Sequence, residues 1–208
     1  MKDYTFEVCK LTEIKQYVEC NHYSKSVNGL KVSFCFRIIN STGHIVGAAI
    51  YGQQSTTAWK KYVEKECDLL ELRRLCTTDK MRNLLSCFVG WCNNYIKKNS
   101  DIKLLLSYAD PYNGHIGYIY QATNWLYVGE TQKDIVLKTP EGKIYHSRAM
   151  RTKYNGILKP FAARLKEMDE NGVLERIDIP GKHTYLFVLK GKFNFISKPY
   201  PKITKEIK

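Results

Sequence analysis

The sequence predicts an α/β (α+β) chain with a mixed central sheet flanked by helices. Three observations lead there. Short apolar segments alternate with period two at 5–9, 31–39 and 45–51. Helix-period stretches at 13–20 and 83–97 fall between strands rather than after them. A run of three leucines, Leu104 to Leu106, is too short for a helix core and reads as a buried strand. Strands separated by helices of this length give a layered sheet crossed by its helices.

Each element has its own warrant. Thr5 to Cys9 alternates and reads as a first strand, and Thr12 is the expected cap of a helix over Glu13–Cys20. Asn21 to Gly29 is a polar loop holding His22, Tyr23, Ser24 and Lys25. Val32, Phe34, Phe36 and Ile38 share a strand face; Asn40-Ser-Thr-Gly43 turns the chain, and Ile45 to Tyr51 returns it. A short helix is expected within 57–63. Asp68 to Cys76 reads as a strand with Leu70 and Leu72 on one side and Glu71, Arg73 and Leu75 on the other. Leu84, Cys87, Phe88, Trp91 and Tyr95 recur at helical spacing, with Cys87 and Cys92 expected as small core residues. After the buried strand, 117–124 is a short helix and 126–129 a further strand. Residues 134–144 suggest a hairpin at Pro140-Glu-Gly142, and 153–159 hold an Asn155-Gly156 turn. Helix is expected at 161–168 and a strong strand at 183–189. The resulting organisation is a core over 1–130, a basic extension over 131–190 that continues the same domain, and a loose basic tail over 191–208.

Composition narrows the function. The 208 residues are 44% hydrophobic, enough for a core, and the net charge is +13. Residues 1–130 hold 16 Lys+Arg against 12 Asp+Glu, whereas 131–208 hold 17 against 8. Such a basic excess attracts a polyanion, nucleic acid before membrane, and 15 Tyr supply rings that stack on bases. There is no apolar run long enough to span a bilayer and no apolar signal segment, so a cytoplasmic protein is expected. Seven Cys without a Cys-x-x-Cys pair argue against a disulfide framework or a tetrathiolate zinc site.

The most informative stretch is Leu104 to Trp125. A buried strand ends in Ser107, Tyr108, Asp110, Tyr112 and His115, which is how open α/β sheets deliver chemistry to their carboxyl ends. Asp110-Pro-Tyr-Asn-Gly also reads simply as a well-made turn.

Asn21-His-Tyr-Ser24, Glu71-Leu-Arg-Arg-Leu75, Ser107-Tyr-Ala-Asp110, His115, Gly117, Ile119-Tyr-Gln-Ala122, Gly181-Lys-His183 and Tyr185 together resemble the phage Mom family over roughly 15–190. The element order is similar to the GNAT-like N-acyltransferase fold. The resemblance implies a DNA modification enzyme that places a carbamoylmethyl group on adenine N6 and so shields phage DNA from restriction. It would be a transferase of the host cytoplasm if phage-encoded.

Under that reading Asp110 is the base or orienting group for the amine, Tyr120 the acid to the leaving group, and His22 a second base or orienter. Tyr23 is placed to stack on an extruded base, and Arg73 to face the site. Ser86, Ser107, Tyr108 and His115 are the expected substrate or donor contacts. Lys138, Lys143, Arg148, Arg151, Lys153 and Lys159 are the expected phosphate contacts. His22, Asp110 and His115 could hold a metal such as iron, although their spacing has no diagnostic pattern. The turn Thr77-Thr-Asp-Lys-Met-Arg-Asn83 lacks the glycines that cradle a cofactor pyrophosphate and includes Asp79. Acetyl-CoA is therefore a doubtful donor, and an aminoacyl-tRNA is the alternative. Two other readings compete: a related acyltransferase acting on a small amine or RNA base, and a non-catalytic DNA-binding protein.

Overall fold

A computed structural model describes residues 3–54 and 56–202. The described residues divide into two compact units, one formed by those up to 129 together with those from 183 on, and one by 130–182. The stretch expected as a continuous extension thus divides. Residues 183–188 return to the main sheet, and 130–182 fold on themselves.

The larger unit is a seven-stranded sheet. Its strands are β1 (Tyr4–Cys9), β2 (Val32–Asn40), β3 (Ile45–Gly52), β4 (Leu69–Thr77), β5 (Leu104–Ala109), β6 (Leu126–Glu130) and, later in the chain, β12 (His183–Val188), in the order β1-β2-β3-β4-β5-β12-β6. β4 and β5 are parallel neighbours; β1 to β4 pair antiparallel in sequence, and β12 pairs antiparallel with β5.

Alternation along these strands fills both faces. On one side Ile14 and Val18 of helix α1 (Leu11–Asn21) pack with Cys35, Ala48 and Ile50. On the other, Leu84, Phe88, Cys92 and Ile96 of helix α2 (Leu84–Asn99) pack on Phe36, Ile38, Ala49, Tyr51, Leu70 and Leu105. Each Val, Leu, Ile or Phe among them, removed from water, contributes roughly 1.5–3 kcal/mol. Two details differ from expectation. Lys10, not Thr12, caps α1, because its N–H donates to the Glu13 carboxylate (2.6 Å) one turn ahead. Cys87 is exposed, since Phe88 one position on takes the core-facing place; Cys92 is buried.

The parallel pair is short. β4 and β5 meet at Leu69↔Leu104, Leu70↔Leu105 and Glu71↔Leu106, and among the described residues the pairing stops there. Beyond it the two strands run on without a shared ladder. This opening at their carboxyl ends is where the polar residues of both strands collect.

The described tail is not loose. It lacks regular secondary structure, yet Lys198 N–H donates to Tyr127 O (2.8 Å) and Tyr200 Oη to Trp125 O (2.9 Å). Residues 203–208 lie outside the described set.

The second unit has β7 (Asp134–Lys138) between β8 (Ile144–His146) and β11 (Glu175–Ile179), with a small hairpin β9 (Lys153–Tyr154) and β10 (Ile157–Leu158). Helix α4 (Pro160–Glu170) closes its own core of Leu137, Leu165 and Leu174. No helix among the described residues is long and apolar enough to cross a membrane.

Candidate active site

Where β4 and β5 part, a pocket of about 290 Å³ opens. Its wall comes from five places: Leu72, Arg73 and Leu75 of β4; Leu85 of α2; Tyr108, Ala109 and Asp110 at the end of β5; Gly114 to Tyr120; and His22 and Tyr23 after α1. Five residues expected to carry chemistry (Asp110, Tyr120, His22, Tyr23 and Arg73) therefore share one cavity with Tyr108 and His115.

The missing ladder is replaced by side chains. Ser107 Oγ reaches across the gap to Leu72 O (3.2 Å) and lies 2.7 Å from Tyr120 Oη. A hydroxyl has one proton, so when Ser107 donates to Leu72 the Tyr120 hydroxyl donates to Ser107. Burial raises the Tyr120 hydroxyl well above its ordinary pKa, so Tyr120 is a protonated phenol at neutral pH. Tyr120 belongs to helix α3 (Tyr118–Ala122), and its ring packs on Trp125 and Tyr185.

Gly117 makes that placement possible. Its φ is +86°, and a Cβ there would lie 2.4 Å from the Tyr185 ring. Tyr185 in turn donates to Ile116 O (2.5 Å) and accepts from Gln121 Nε2 (3.2 Å), which ties α3 to β12.

Asp110 is 4% exposed. Its Oδ1 accepts the Tyr112 N–H (3.1 Å), so it caps the 3-10 turn Pro111–Asn113 while lining the pocket. The turn reading and the site reading of this residue are therefore compatible.

Arg73 sits at a bulge: β3 and β4 pair Ile50↔Arg74 and then Tyr51↔Leu72, which leaves Arg73 as the extra residue. A bulge re-aims a side chain. Arg73 lines the pocket and pairs with Glu71 (3.3 Å). Arg74 does something different, donating from Nε to Ser26 O (3.0 Å) and so holding the loop that carries His22. Sequence reading passed over this role, because the bulge belongs to the strand pairing.

His22 is buried and its pKa is pushed down to about 4, first by burial and then by the charge of Arg74. Its Nδ1 accepts the Ser24 N–H (3.1 Å). Neutral His22 consequently carries its proton on Nε2 and is a donor, not a base. The Tyr23 ring lies tilted against His22 (centroids 4.3 Å, 31°) and His115 (5.4 Å, 43°). At 47% exposed, with Tyr118 at 61%, it leaves an aromatic rim at the mouth.

Other expectations are corrected. Ser86 does not line the pocket; Leu85 does, and Ser86 Oγ bonds Asn83 O (2.9 Å) within its own helical turn. Among the described residues no three His, Cys, Asp or Glu side chains form a group able to hold a metal ion, so His22, Asp110 and His115 line the cavity without making such a site. Lys138 is paired with Glu175 (2.9 Å), which weakens it as a phosphate contact. Lys143, Arg148, Arg151, Lys153 and Lys159 are exposed. Gln54 was not foreseen: it is buried and donates to Tyr108 Oη (3.3 Å).

Three backbone donors of the turn between β4 and α2 are bound within the fold. Thr78 N–H donates to Val46 O and Tyr17 Oη (3.0 Å each). Asp79 N–H donates to Thr77 Oγ1 (3.1 Å), and Met81 N–H to the Asp79 carboxylate (2.8 Å). Tyr4 holds the other oxygen of that carboxylate (2.7 Å). A negative side chain thus takes the Met81 N–H, and its charge opposes that of a pyrophosphate at this turn.

Against known proteins, the chain matches the Mom protein family over residues 3–202 and belongs to that family. Its fold is that of the GNAT N-acetyltransferases. An N-acetyltransferase from Staphylococcus aureus Mu50 aligns at TM-score 0.50 and 12% identity over 90% of this chain and 99% of that one. The ribosomal-protein-S18-alanine N-acetyltransferase from Escherichia coli aligns at TM-score 0.50 and 9% identity over 94% and 99%. No curated protein matches by sequence.

Proposed function

We propose that this member of the Mom family is a DNA modification enzyme that transfers a glycine-like, acyl-derived group to N6 of adenine, the carbamoylmethyl product protecting DNA from restriction. The observation that carries the reading is the grouping of Asp110, Tyr120, Arg73, His22 and Tyr23 around one cavity at the opening between β4 and β5.

The acceptor sets the requirements. The N6 lone pair is delocalised into the purine, so the amine needs a group that takes its proton as the new bond to carbon forms. Asp110 accepts from N6–H and takes that proton. Tyr120 gives its proton to the leaving group; once the product leaves, Asp110 releases the proton taken from N6 to solvent in the open pocket and Tyr120 takes one back from it. Arg73 stabilises the negative charge that develops on the donor. His22 Nε2–H donates to a ring nitrogen or carbonyl, and Tyr23 and His115 stack against an extruded base. The exposed cations of 143–159 hold phosphates.

The donor is an aminoacyl-tRNA rather than acetyl-CoA, in keeping with the Asp79 carboxylate in the turn before α2: N6 displaces the tRNA hydroxyl from the glycyl ester carbonyl, and the N6-glycyl amide then isomerises, with no atom gained or lost, to the carbamoylmethyl group. Label passing from acetyl-CoA to DNA without added RNA would overturn this part.

The test is mass spectrometry of nucleosides from DNA of cells expressing the chain, beside Asp110→Asn. A new adenine species absent from the variant supports the reading. Fragmentation separates a carbamoylmethyl from a glycyl group, which are isomers. Unmodified DNA from cells rich in folded protein would instead favour a small-amine or RNA substrate, or a DNA-binding protein without chemistry.

A further inference from the structure

The β9–β10 hairpin of the 130–182 unit carries an apolar pair that its own fold leaves in solvent. Tyr154 and Ile157 are direct cross-strand partners. Direct partners share one face of a ribbon. Tyr154 is 70% and Ile157 75% exposed. Asn155 (φ 48°) and Gly156 (φ 80°) both adopt positive φ, the signature of a tight I′ turn that holds the two strands as a narrow ribbon. Lys159 N–H donates to Thr152 O (2.9 Å) and closes its base.

The charge around this pair says what meets it. Between Glu141 and Glu167 there is no Asp or Glu, while seven Lys and Arg occur, among them Arg148, Arg151, Lys153 and Lys159. All seven are exposed. A second copy of the chain would bring the same positive face against itself. An apolar protein surface would leave the cations without partners. Duplex DNA supplies both needs, phosphates for the cations and a base stack for the ring and the branched aliphatic.

We propose that the Tyr154–Ile157 hairpin is a wedge that inserts between base pairs of duplex DNA, with Arg151, Lys153 and Lys159 on the flanking phosphates. Apolar side chains that enter a step unstack it and kink the duplex. The proposal rests on the reading of DNA as substrate and gives it a means of access, since N6 of a paired adenine is reached only after the base leaves the stack.

The experiment uses the full chain and a duplex carrying 2-aminopurine, whose fluorescence rises on unstacking. Wild type is expected to raise the signal several-fold at saturation. A Tyr154→Ser/Ile157→Ser variant is expected to bind with an unchanged salt dependence, yet give little rise. A Lys153→Gln/Lys159→Gln variant is expected to bind more weakly but to unstack once saturated. Equal fluorescence from wild type and the apolar double variant would overturn the wedge, as would a wild type that does not bind the duplex. The readout needs no group transfer. A chain that unstacks DNA but never modifies it would refute the enzymatic reading while leaving the wedge standing.

Discussion

The opening between β4 and β5 and the surface of residues 130–182 are both polar, but in opposite ways. In the first, Ser107, Tyr120 and Asp110 are buried and bound to one another or to nearby backbone. In the second, Arg148, Arg151, Lys153 and Lys159 are exposed and share one sign. A reacting group must be held in place before its substrate arrives, and burial with satisfied hydrogen bonds does that. A grip on a polyanion needs charge that remains available to phosphates. On the proposed function, the chain separates positioning from attraction.

The comparison breaks first at Tyr120. On the proposed function Tyr120→Phe removes the proton donor, and the modification rate is expected to fall roughly 10²–10⁴-fold. Stability should fall by only about 1 kcal/mol, because Ser107 keeps Leu72 O as its partner. Modified adenine per genome and urea unfolding measure the two separately.

Gly117→Ala tests the scaffold beneath the chemistry. A Cβ 2.4 Å from the Tyr185 ring at φ +86° combines overpacking with left-handed strain. The expected loss is about 3 kcal/mol by urea unfolding. An unchanged midpoint would mean that α3 and β12 are not locked together.

His22 gives a pH signature of smaller size. Its folded pKa of about 4 lies below the ordinary 6.5. The unfolded chain therefore takes up a proton first as pH falls. The contribution of His22 is complete above pH 6.5, shrinks between 6.5 and 4, and is gone below 4. The total is at most about 3 kcal/mol. His22→Asn, which keeps an acceptor for Ser24 N–H, should flatten unfolding free energy across that window. A profile unchanged by the substitution would contradict a buried neutral imidazole.

The smallest effect on the fold comes from the basic surface. Changing Arg148, Arg151, Lys153 and Lys159 to Gln should alter stability by no more than about 0.5 kcal/mol per site. The log–log salt slope of DNA binding should become shallower by about 0.9 for each phosphate that is no longer neutralised. A slope that stays put would show these cations to be merely solvated.

Much of this was legible in the sequence. Period-two alternation gave the strands of the main sheet their faces, and the polar cluster after Leu106 marked the pocket, because a buried strand ending in Ser, Tyr and Asp delivers those groups to the carboxyl end of the sheet. What escaped notice depends on tertiary pairing. The bulge that separates Arg73 from Arg74 exists only in the β3–β4 register. The short β4–β5 ladder that makes room for the cavity has no local signal. β11 was missed because three of the five residues of Glu175-Arg-Ile-Asp-Ile179 are charged and the strand sits on an edge of its sheet. The boundary at 130 and 182 was missed because β12 joins a sheet begun far earlier in the chain.

The most direct measurement scores DNA retention and modified adenine together, in cells holding equal amounts of wild type, Asp110→Asn and the fourfold Gln variant. Asn keeps the capping acceptor for Tyr112 N–H but cannot take a proton. The account requires that Asp110→Asn stays on DNA at the wild-type level with modified adenine lost, and that the fourfold variant loses both. Modified adenine persisting in Asp110→Asn would contradict it.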